Sequence, residues 1–273
     1  MAASPTPNKD IHAYRHSNQT YWTNRSHSYS EQHRGELNGT QHAAWAKELD
    51  AELQKAFGGK PRNQVKVLDI GCGPGFFSII LAELGYQVTA VDYTESMLEQ
   101  AKANAAALGQ KAQFMRMDAE NLEFESGSFD AVVSRNLTWN LPNPEGAYAE
   151  WARVLRHGGL LLNYDANWYA YLFDDDMRKG YESDRANTAK AGCNDRYLHT
   201  DIDSMERLAS KVPAGSLPRP AWDKHVLDQC GLTVSVDHRV SDRVWSVEEL
   251  VNQASTPLFG IRGRKHPRKG APQ

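Results

Sequence analysis

The sequence predicts an α/β protein whose central feature is a largely parallel β-sheet. Between residues 65 and 163, short apolar segments alternate with helical segments, which is the pattern of βα repeats. The first apolar segment runs into glycines at alternate positions, Gly71, Gly73 and Gly75, which permit a sharp turn before a helix. With 273 residues and 40% hydrophobic content, the chain is long enough for one large domain or two small ones.

Each element follows from its apolar periodicity and its boundary residues. Trp45, Leu49, Leu53 and Phe57, for example, recur every four positions and are followed by two glycines, as expected for a helix and its end. In chain order we predict a helix at 43–57, a strand at 66–70, a helix at 76–84, a strand at 87–91, a helix from Thr94 or Ser96 to 108, strands at 113–117 and 130–134, a helix at 145–155, a strand at 160–162, a helix at 222–230, and strands at 232–237 and 258–262.

Composition divides the chain into five regions. The opening region is rich in polar and aromatic residues but has only two branched aliphatic residues before position 43, Ile11 and Leu37, so it cannot form a core of its own. We expect an N-terminal lid and helix at 1–64, a βα core at 65–163, an aromatic insert covering the active site at 164–221, a closing helix and strands of the core at 222–263, and a basic tail at 264–273.

Several classes of protein are disfavoured by composition. The net charge of −3 argues against nucleic acid as a partner, and no apolar run is long enough to span a membrane. Residues 1–10 lack the basic and apolar segments of a secretory leader, so we expect a cytoplasmic protein. Three scattered cysteines, at 72, 193 and 230, fit neither a disulfide framework nor a zinc site, and we expect no metal.

The glycine loop and three acids predict a nucleoside site. Asp69 lies in the first strand, Asp92 ends the second, and Asp118 ends the third, so the three carboxylates meet at the ligand-binding edge of the sheet. No lysine follows the glycines, which disfavours a nucleoside triphosphate. Asp69 would repel a pyrophosphate but suits a ligand that carries an ammonium group.

The run Asp69-Ile70-Gly71-Cys72-Gly73-Pro74-Gly75, with Asp92, Asp118 and the strand Phe129-Asp130-Ala131-Val132-Val133-Ser134, resembles the class I S-adenosylmethionine (SAM)-dependent methyltransferases. The resemblance is close over residues 65–163 and looser at the terminal strands. It implies a Rossmann-like, seven-stranded sheet whose last strand runs antiparallel, with residues 232–237 and 258–262 as candidates for the closing pair.

The same resemblance implies how the cofactor SAM would be bound. Gly71 and Gly73 would lie against its methionine portion, whose amino group would be held by Asp69 and Asn136. Asp92 would accept both ribose hydroxyls. The adenine would be contacted by three residues, Tyr93, Asp118 and Ala119. From residue chemistry alone, the methionine carboxylate could be bound by Tyr29, Arg25 or Arg34.

The sequence disfavours several methyl acceptors. It lacks the Asn/Asp-Pro-Pro-aromatic motif that binds an exocyclic base amine, and it lacks the Pro-Cys pair of a cytosine-C5 enzyme. Cys72 is expected to be a small filler of the glycine loop rather than a nucleophile. A small-molecule acceptor is therefore favoured, in a pocket formed by the opening segment, the loop after Ser134 and the insert after Asn163.

That pocket should be aromatic, because ring faces stabilise a sulfonium or ammonium cation. The candidate rings are Tyr21, Trp22, Tyr29, Trp139, Tyr164, Trp168, Tyr169 and Tyr171. Among the residues of this pocket, we expect Tyr21, Asn136 and Tyr169 to be the catalytic ones. His27 and His33 could accept a proton, but we expect both to be surface residues of the lid.

Three functions remain open at this point. The first is a methyltransferase for a small amine-like or amino-acid-like acceptor. The second is an intramolecular cyclase, similar to the azetidine-2-carboxylate synthases, in which the amine of SAM displaces methylthioadenosine because no room exists for an acceptor. The third is a SAM-binding partner subunit without catalysis.

Overall fold

A computed structural model describes residues 8–195 and 200–267 of the chain. Within these ranges seven strands form one sheet in the order β3-β2-β1-β4-β5-β7-β6. The strands are β1 (Lys66–Ile70), β2 (Gln87–Asp92), β3 (Gln113–Arg116), β4 (Phe129–Arg135), β5 (Leu155–Asp165), β6 (Leu232–Asp237) and β7 (Phe259–Lys265). Strands β1 to β5 pair in parallel, whereas β7 is antiparallel to both β5 and β6. The predicted fold class, the seven strands and the antiparallel closing pair are confirmed.

Helices cover both faces of the sheet and its ligand-binding edge. They are α1 (Asn8–Asn38), α2 (Thr40–Phe57), α3 (Phe76–Glu83), α4 (Glu95–Ala107), α5 (Pro144–Val154), α6 (Asp175–Ala191), α7 (Ile202–Ala209), α8 (Ala221–Gln229), α9 (Ser241–Val244) and α10 (Val247–Asn252). In the described residues no helix is both long and apolar enough to cross a bilayer. The helices predicted at 43–57, 76–84, 145–155 and 222–230 are present with ends within three residues of those predicted.

The core consists of two apolar layers, one on each side of the sheet. The first layer joins α2 and α3 to the sheet, and its Trp45, Leu49 and Leu53 are almost inaccessible to solvent. The second layer joins α5 and α8 to the opposite face, where Trp151 and Leu227 are fully buried. Since β4 is buried along nearly its whole length, its uninterrupted apolar run is that of a central parallel strand.

The opening segment forms a 31-residue helix, α1, which the sequence analysis did not predict. The buried side of α1 presents mainly aromatic and polar side chains, including Tyr14, Tyr21, Ser30 and His33, with Leu37 as a buried aliphatic residue near its end. These residues recur at helical spacing, and that stripe was the signal for the helix. Helix α1 runs over the edge of the sheet where the three predicted acids lie.

Two predicted boundaries are wrong. Strand β5 extends to Asp165, so Tyr164 belongs to the sheet and not to the insert. Strand β7 extends to Lys265, whose ammonium group donates to the Ala152 and Leu155 carbonyls, so the predicted basic tail begins too early. Residues 268–273 of that tail lie outside the described residues.

Candidate functional site

The glycine loop turns sharply between β1 and α3. Gly71, Gly73 and Gly75 all have positive φ, at 66°, 52° and 92°. The amides of Gly71 and Cys72 both donate to the Val91 carbonyl, at 2.8 and 3.1 Å. A Cβ atom at Gly71 would come within 2.7 Å of a Leu137 methyl group. Glycine is therefore required here both for conformation and for space.

Asp92 holds the glycine loop and the start of α4 together. One carboxylate oxygen accepts from the Gly73 amide at 2.9 Å, and the other accepts from the Thr94 amide at 2.8 Å. Burial raises the pKa of Asp92, while these backbone donors oppose the shift. Each oxygen retains a lone pair, so the carboxylate can also accept from neighbouring ligand hydroxyls.

Asp69 lies deeper in the sheet. The Ser78 hydroxyl donates to it at 2.5 Å, and the side chain is almost fully buried. Burial, with a contribution from the negative charge of Asp92, raises the pKa of Asp69 to about 7. A ligand cation beside Asp69 would favour its ionised form.

Asp118 is connected to α1 across the opening. Its Oδ1 accepts from the Glu120 amide at 2.9 Å, and its Oδ2 lies 3.2 Å from the Arg15 guanidinium. Arg15 also pairs with Glu120. Further along, the Tyr14 hydroxyl donates to Asn140 at 2.8 Å. The first turns of α1 are thus attached to the loops that follow β3 and β4.

These elements line a first cavity between the loop and α1, a cleft of about 1090 Å³ when the solvent at its mouth is included. All nine predicted cofactor-binding residues line it: Tyr29, Asp69, Gly71, Gly73, Asp92, Tyr93, Asp118, Ala119 and Asn136. Their individual roles stay predictions. The cavity has acidic residues on the sheet side and aromatic rings on the α1 side, which suits a cationic ligand.

Asn136 lies where the first cavity meets a second one. It follows β4 with φ at 56°, in the left-handed region, and its amide donates to the Tyr164 carbonyl at 2.8 Å. Its own carbonyl accepts from the Trp139 indole at 2.9 Å. The side-chain Oδ1 of Asn136 is buried and has no hydrogen-bond partner among the described residues. A ligand N–H group would satisfy this acceptor.

The second cavity lies beside the first and is a cleft of about 1020 Å³ when the solvent at its mouth is included. Four residues line both cavities, namely Trp22, Tyr29, Arg135 and Asn136. Its walls include five tryptophans, which are Trp22, Trp45, Trp139, Trp168 and Trp245. The residues predicted to be catalytic, Tyr21, Asn136 and Tyr169, all line this second cavity, and their roles stay predictions.

Two rings predicted for this pocket are elsewhere. Tyr164 is buried in the core against Trp45 and Phe77, with ring centres 5.0 and 5.8 Å away. Tyr171 is buried within the insert, stacked on Tyr181, and donates to Glu206 at 2.8 Å. Both predictions were wrong because strand β5 continues past Asn163 and because the insert has helices with apolar contacts of their own.

The arginines, histidines and cysteine considered in the sequence also lie in different parts of the molecule. Arg34 and His27 lie on the exposed side of α1, each beside Glu31. Arg25 lines the second cavity and not the first. His33 is buried and lines the first cavity, which corrects its predicted place on the surface. Cys72 is buried in the loop, where burial raises the pKa of its thiol well above the ordinary value, as expected of a filler.

Sequence reasoning missed Arg135, which stands between the two cavities. Its guanidinium donates to Glu36 at 2.7 Å and lies 4.3 Å from the centre of the Phe76 ring. Glu36 and Glu249, also missed, come from α1 and α10 and line the second cavity. The available signal for Arg135 was its position at the end of a buried strand, directly before Asn136.

A buried polar network holds the rear of the second cavity. The Asp165 carboxylate accepts from the Trp139 amide at 3.0 Å and from Arg219 at 3.0 Å. Arg219 also contacts Asp223 at 2.9 Å, and Tyr148 donates to Asp223 at 2.5 Å. Because all these groups are buried and paired, the network fixes the Trp139 loop relative to the insert.

Comparison with known proteins agrees with this geometry. Residues 68–163 match the family described as a methyltransferase domain. A ubiquinone biosynthesis O-methyltransferase of Dechloromonas aromatica is 36% identical over 111 residues, which make up 40% of this chain and 48% of that protein. The chain thus matches about half the length of that curated relative.

Solved structures share the fold at low identity. Haemonchus contortus phosphoethanolamine N-methyltransferase 2, in complex with S-adenosyl-L-methionine, aligns with a TM-score of 0.54 and 16% identity, covering 86% of this chain and 60% of that one. The YcgJ protein of Bacillus subtilis aligns with a TM-score of 0.52 and 18% identity, covering 80% and 98%. Residues 68–163 are therefore similar to a methyltransferase domain, and the described fold is the one these solved structures share.

Proposed function

We propose that this protein transfers the methyl group of SAM to the nitrogen of a small amine. The single observation that carries the proposal is the shared wall between the two cavities. Asn136 lines both cavities, and its buried Oδ1 has no partner among the described residues.

The first cavity suits SAM by charge. Its floor carries Asp69, Asp92 and Asp118, whereas the Trp22 and Tyr29 rings, 5.4 Å apart, stand at its junction with the second cavity. Acids at the floor would bind the ammonium group and the hydroxyls, and ring faces would stabilise the sulfonium. When bound, SAM supplies an electrophilic methyl group and a neutral thioether leaving group.

The residues of the second cavity would orient the acceptor. Tyr21 is packed edge-on against Trp22, with ring centres 5.3 Å apart, and burial raises its pKa, so it is a neutral phenol at pH 7. Tyr169 is 4.9 Å from Trp139 by ring centres. An amine that enters in its neutral form has a free lone pair and needs no general base at the moment of transfer, so positioning is the main catalytic contribution.

The name of the curated relative says that it methylates oxygen. The similarity to it covers less than half of this chain. It supports methyl transfer to a small molecule. Nitrogen is proposed because a neutral amine both donates an N–H to the free Oδ1 of Asn136 and keeps a lone pair for transfer without a general base, whereas a hydroxyl acceptor would have to lose its proton.

The two alternatives are not favoured. Cyclisation of SAM requires a site without room for an acceptor, so that the cofactor's own amine is the nucleophile, whereas here a second cavity adjoins the first and shares four lining residues with it. A partner subunit without catalysis is disfavoured by the complete glycine loop, its acids and the family match.

The experiment is an incubation of the purified protein with SAM, alone and with a panel of primary and secondary amines. Mass spectrometry would follow S-adenosylhomocysteine and methylthioadenosine. We expect S-adenosylhomocysteine together with an N-methylated product, and only when an amine is present. Methylthioadenosine from SAM alone, or transfer to phenols but to no amine, would contradict the proposal.

A matched variant addresses the role of Asn136. Asn136→Asp keeps the size of the side chain and tolerates the left-handed backbone, but its carboxylate favours the protonated, unreactive amine. We expect the turnover of the amine to fall about tenfold or more at pH 7 and to recover as the pH rises. Equal turnover in both proteins would remove Asn136 from the acceptor site.

A further inference from the structure

We propose that Arg25 recognises an anionic group on the acceptor, so that the preferred substrate is a zwitterion with an amine at one end and a carboxylate or phosphate at the other. This inference rests on the proposed function, because it identifies the substrate class of the same second cavity.

Arg25 lines the second cavity from α1. Its guanidinium carbon lies 5.7 Å from the centre of the Tyr29 ring, and its positive charge opposes the rise that burial gives to the pKa of Tyr21. Its Nε is buried and has no acceptor, and none of the acids within residues 8–195 and 200–267 forms an ion pair with it. The buried Nε of Arg25 lacks the acceptor that a polar group removed from water ordinarily has.

The other charged residues that line the cavity are already engaged. Arg135 is paired with Glu36 at 2.7 Å and is further stabilised by the negative charge of Glu249. Glu249 in turn accepts from the Ser246 amide at 2.8 Å and from Gln41 at 2.5 Å. Within residues 8–195 and 200–267, Arg25 is therefore a cation of this cavity that forms no ion pair, although the charge of Asp201 also acts on the neighbouring Tyr21.

A second unsatisfied donor belongs to the same cavity. The indole Nε1 of Trp168 is buried without an acceptor, and Trp168 also lines the second cavity. Both unsatisfied groups, Arg25 Nε and Trp168 Nε1, are donors. A ligand that satisfies them must present acceptor oxygens, and an anionic oxygen is preferred beside a guanidinium.

The unsatisfied groups of the cavity then define the acceptor. The donors of Arg25 and Trp168 call for an anionic group, whereas the unsatisfied Oδ1 of Asn136 calls for a hydrogen-bond donor, which an amine N–H supplies. The aromatic walls pack against the segment between them. Carboxylate and phosphate share the required chemistry, because both form two parallel hydrogen bonds with a guanidinium.

The test compares pairs of probes that carry or lack the anionic group, at one pH in wild type and variants, so that the difference in amine pKa within a pair is the same for every protein. Glycine against glycinamide and tyrosine against tyrosinamide form the carboxylate arm, and phosphoethanolamine against ethanolamine forms the phosphate arm. The rate of S-adenosylhomocysteine release gives kcat/KM for wild type, Arg25→Gln and Arg25→Lys. The matched control is Arg34→Gln, on the exposed side of the same helix.

We expect kcat/KM for the anionic member of at least one pair to exceed that of its neutral partner, and Arg25→Gln to abolish the difference, a loss of about tenfold or more. Arg25→Lys should restore part of it, and the Kd for SAM should not change. Equal loss for both members of each pair, or an unchanged preference in Arg25→Gln, would overturn the proposal. A weaker Kd for SAM in Arg25→Gln would also overturn it, since Arg25 would then bind the cofactor.

Binding separates failure of this inference from failure of the proposed function. Five tryptophans line the cavity, so quenching of their fluorescence in protein saturated with S-adenosylhomocysteine reports the occupancy of the cavity. If no probe is methylated, a preference for anionic probes that disappears in Arg25→Gln still supports the recognition by Arg25. The absence of such a preference overturns it, whether or not methyl transfer occurs.

Discussion

The two cavities are built in contrasting ways. The predicted cofactor-binding residues of the first cavity, except Tyr29, lie within residues 69–136 and follow successive strands of one sheet. The second cavity draws on segments from Tyr21 to Leu258, including α1, α2, α7 and α10. A site made of consecutive βα turns depends on local backbone geometry, whereas the second cavity depends on the packing of distant helices.

Charge distinguishes the two cavities as well. Among the described residues, the sheet side of the first cavity presents the carboxylates of Asp69, Asp92 and Asp118, whereas the second cavity contains an arginine without a paired acid. A cationic cofactor and an acceptor with an anionic end would thus be attracted to different sides of the same junction. Changes on one side should leave binding on the other side nearly intact.

The largest effect is expected for Asp92→Ala. This change leaves the Gly73 and Thr94 amides without their acceptor and removes the predicted contact with ribose. We expect the affinity for SAM, measured by calorimetry, to fall about 100-fold, as for the loss of two charge-assisted hydrogen bonds. Asp175→Ala, at an exposed acid of α6, is the control. An unchanged Kd would show that the second strand does not bind the cofactor.

The next effect concerns pH. Burial raises the pKa of Asp69 to about 7, so the unliganded protein binds a proton there as the pH falls, and a proton opposes the binding of the ammonium group of SAM. We expect the Kd to rise by up to about tenfold for each pH unit below 7. Asp69→Asn should flatten the profile between pH 5.5 and 7, and a profile identical to that of wild type would exclude Asp69 from the cofactor site.

Arg15→Ala should give a smaller change. Arg15 connects α1 to Asp118 and Glu120 across the first cavity, but its side chain is 31% exposed, so solvent weakens these pairs. We expect SAM to dissociate about fivefold faster in stopped-flow measurements, with Arg34→Ala unchanged. Equal dissociation rates for Arg15→Ala and wild type would mean that α1 does not retain the cofactor.

The smallest effect is expected on the acceptor side. Tyr169→Phe keeps the ring that packs against Trp139 and removes only the hydroxyl group. We expect kcat/KM for the amine to fall about threefold, the effect of one neutral hydrogen bond, with no change in the Kd for SAM. A change in the affinity for SAM without a change in kcat/KM would show that Tyr169 contacts the cofactor and not the acceptor.

The same contrast explains what could be predicted from the sequence. Strands β1 and β6 have the predicted bounds because apolar runs between turn residues are a local signal. All nine predicted cofactor-binding residues line one cavity because the carboxyl ends of neighbouring parallel strands meet at one edge.

The rest depended on long-range packing. Helix α1 escaped prediction because its buried stripe is aromatic and polar, and such residues are equally compatible with an irregular lid. Tyr164 was assigned to the insert because the apolar run ends at Leu162, yet Trp45 and Phe77 bury its ring and extend the strand. The pairing of Arg135 with Glu36 joins residues 99 positions apart, which no local pattern reveals.

The most direct test of the account uses SAM with a trideuterated methyl group and an amino alcohol, which offers both nitrogen and oxygen as acceptors. Fragmentation by mass spectrometry locates the label. The account predicts the label on nitrogen, together with an equal amount of S-adenosylhomocysteine. Label on oxygen alone, or methylthioadenosine in place of S-adenosylhomocysteine, would contradict it.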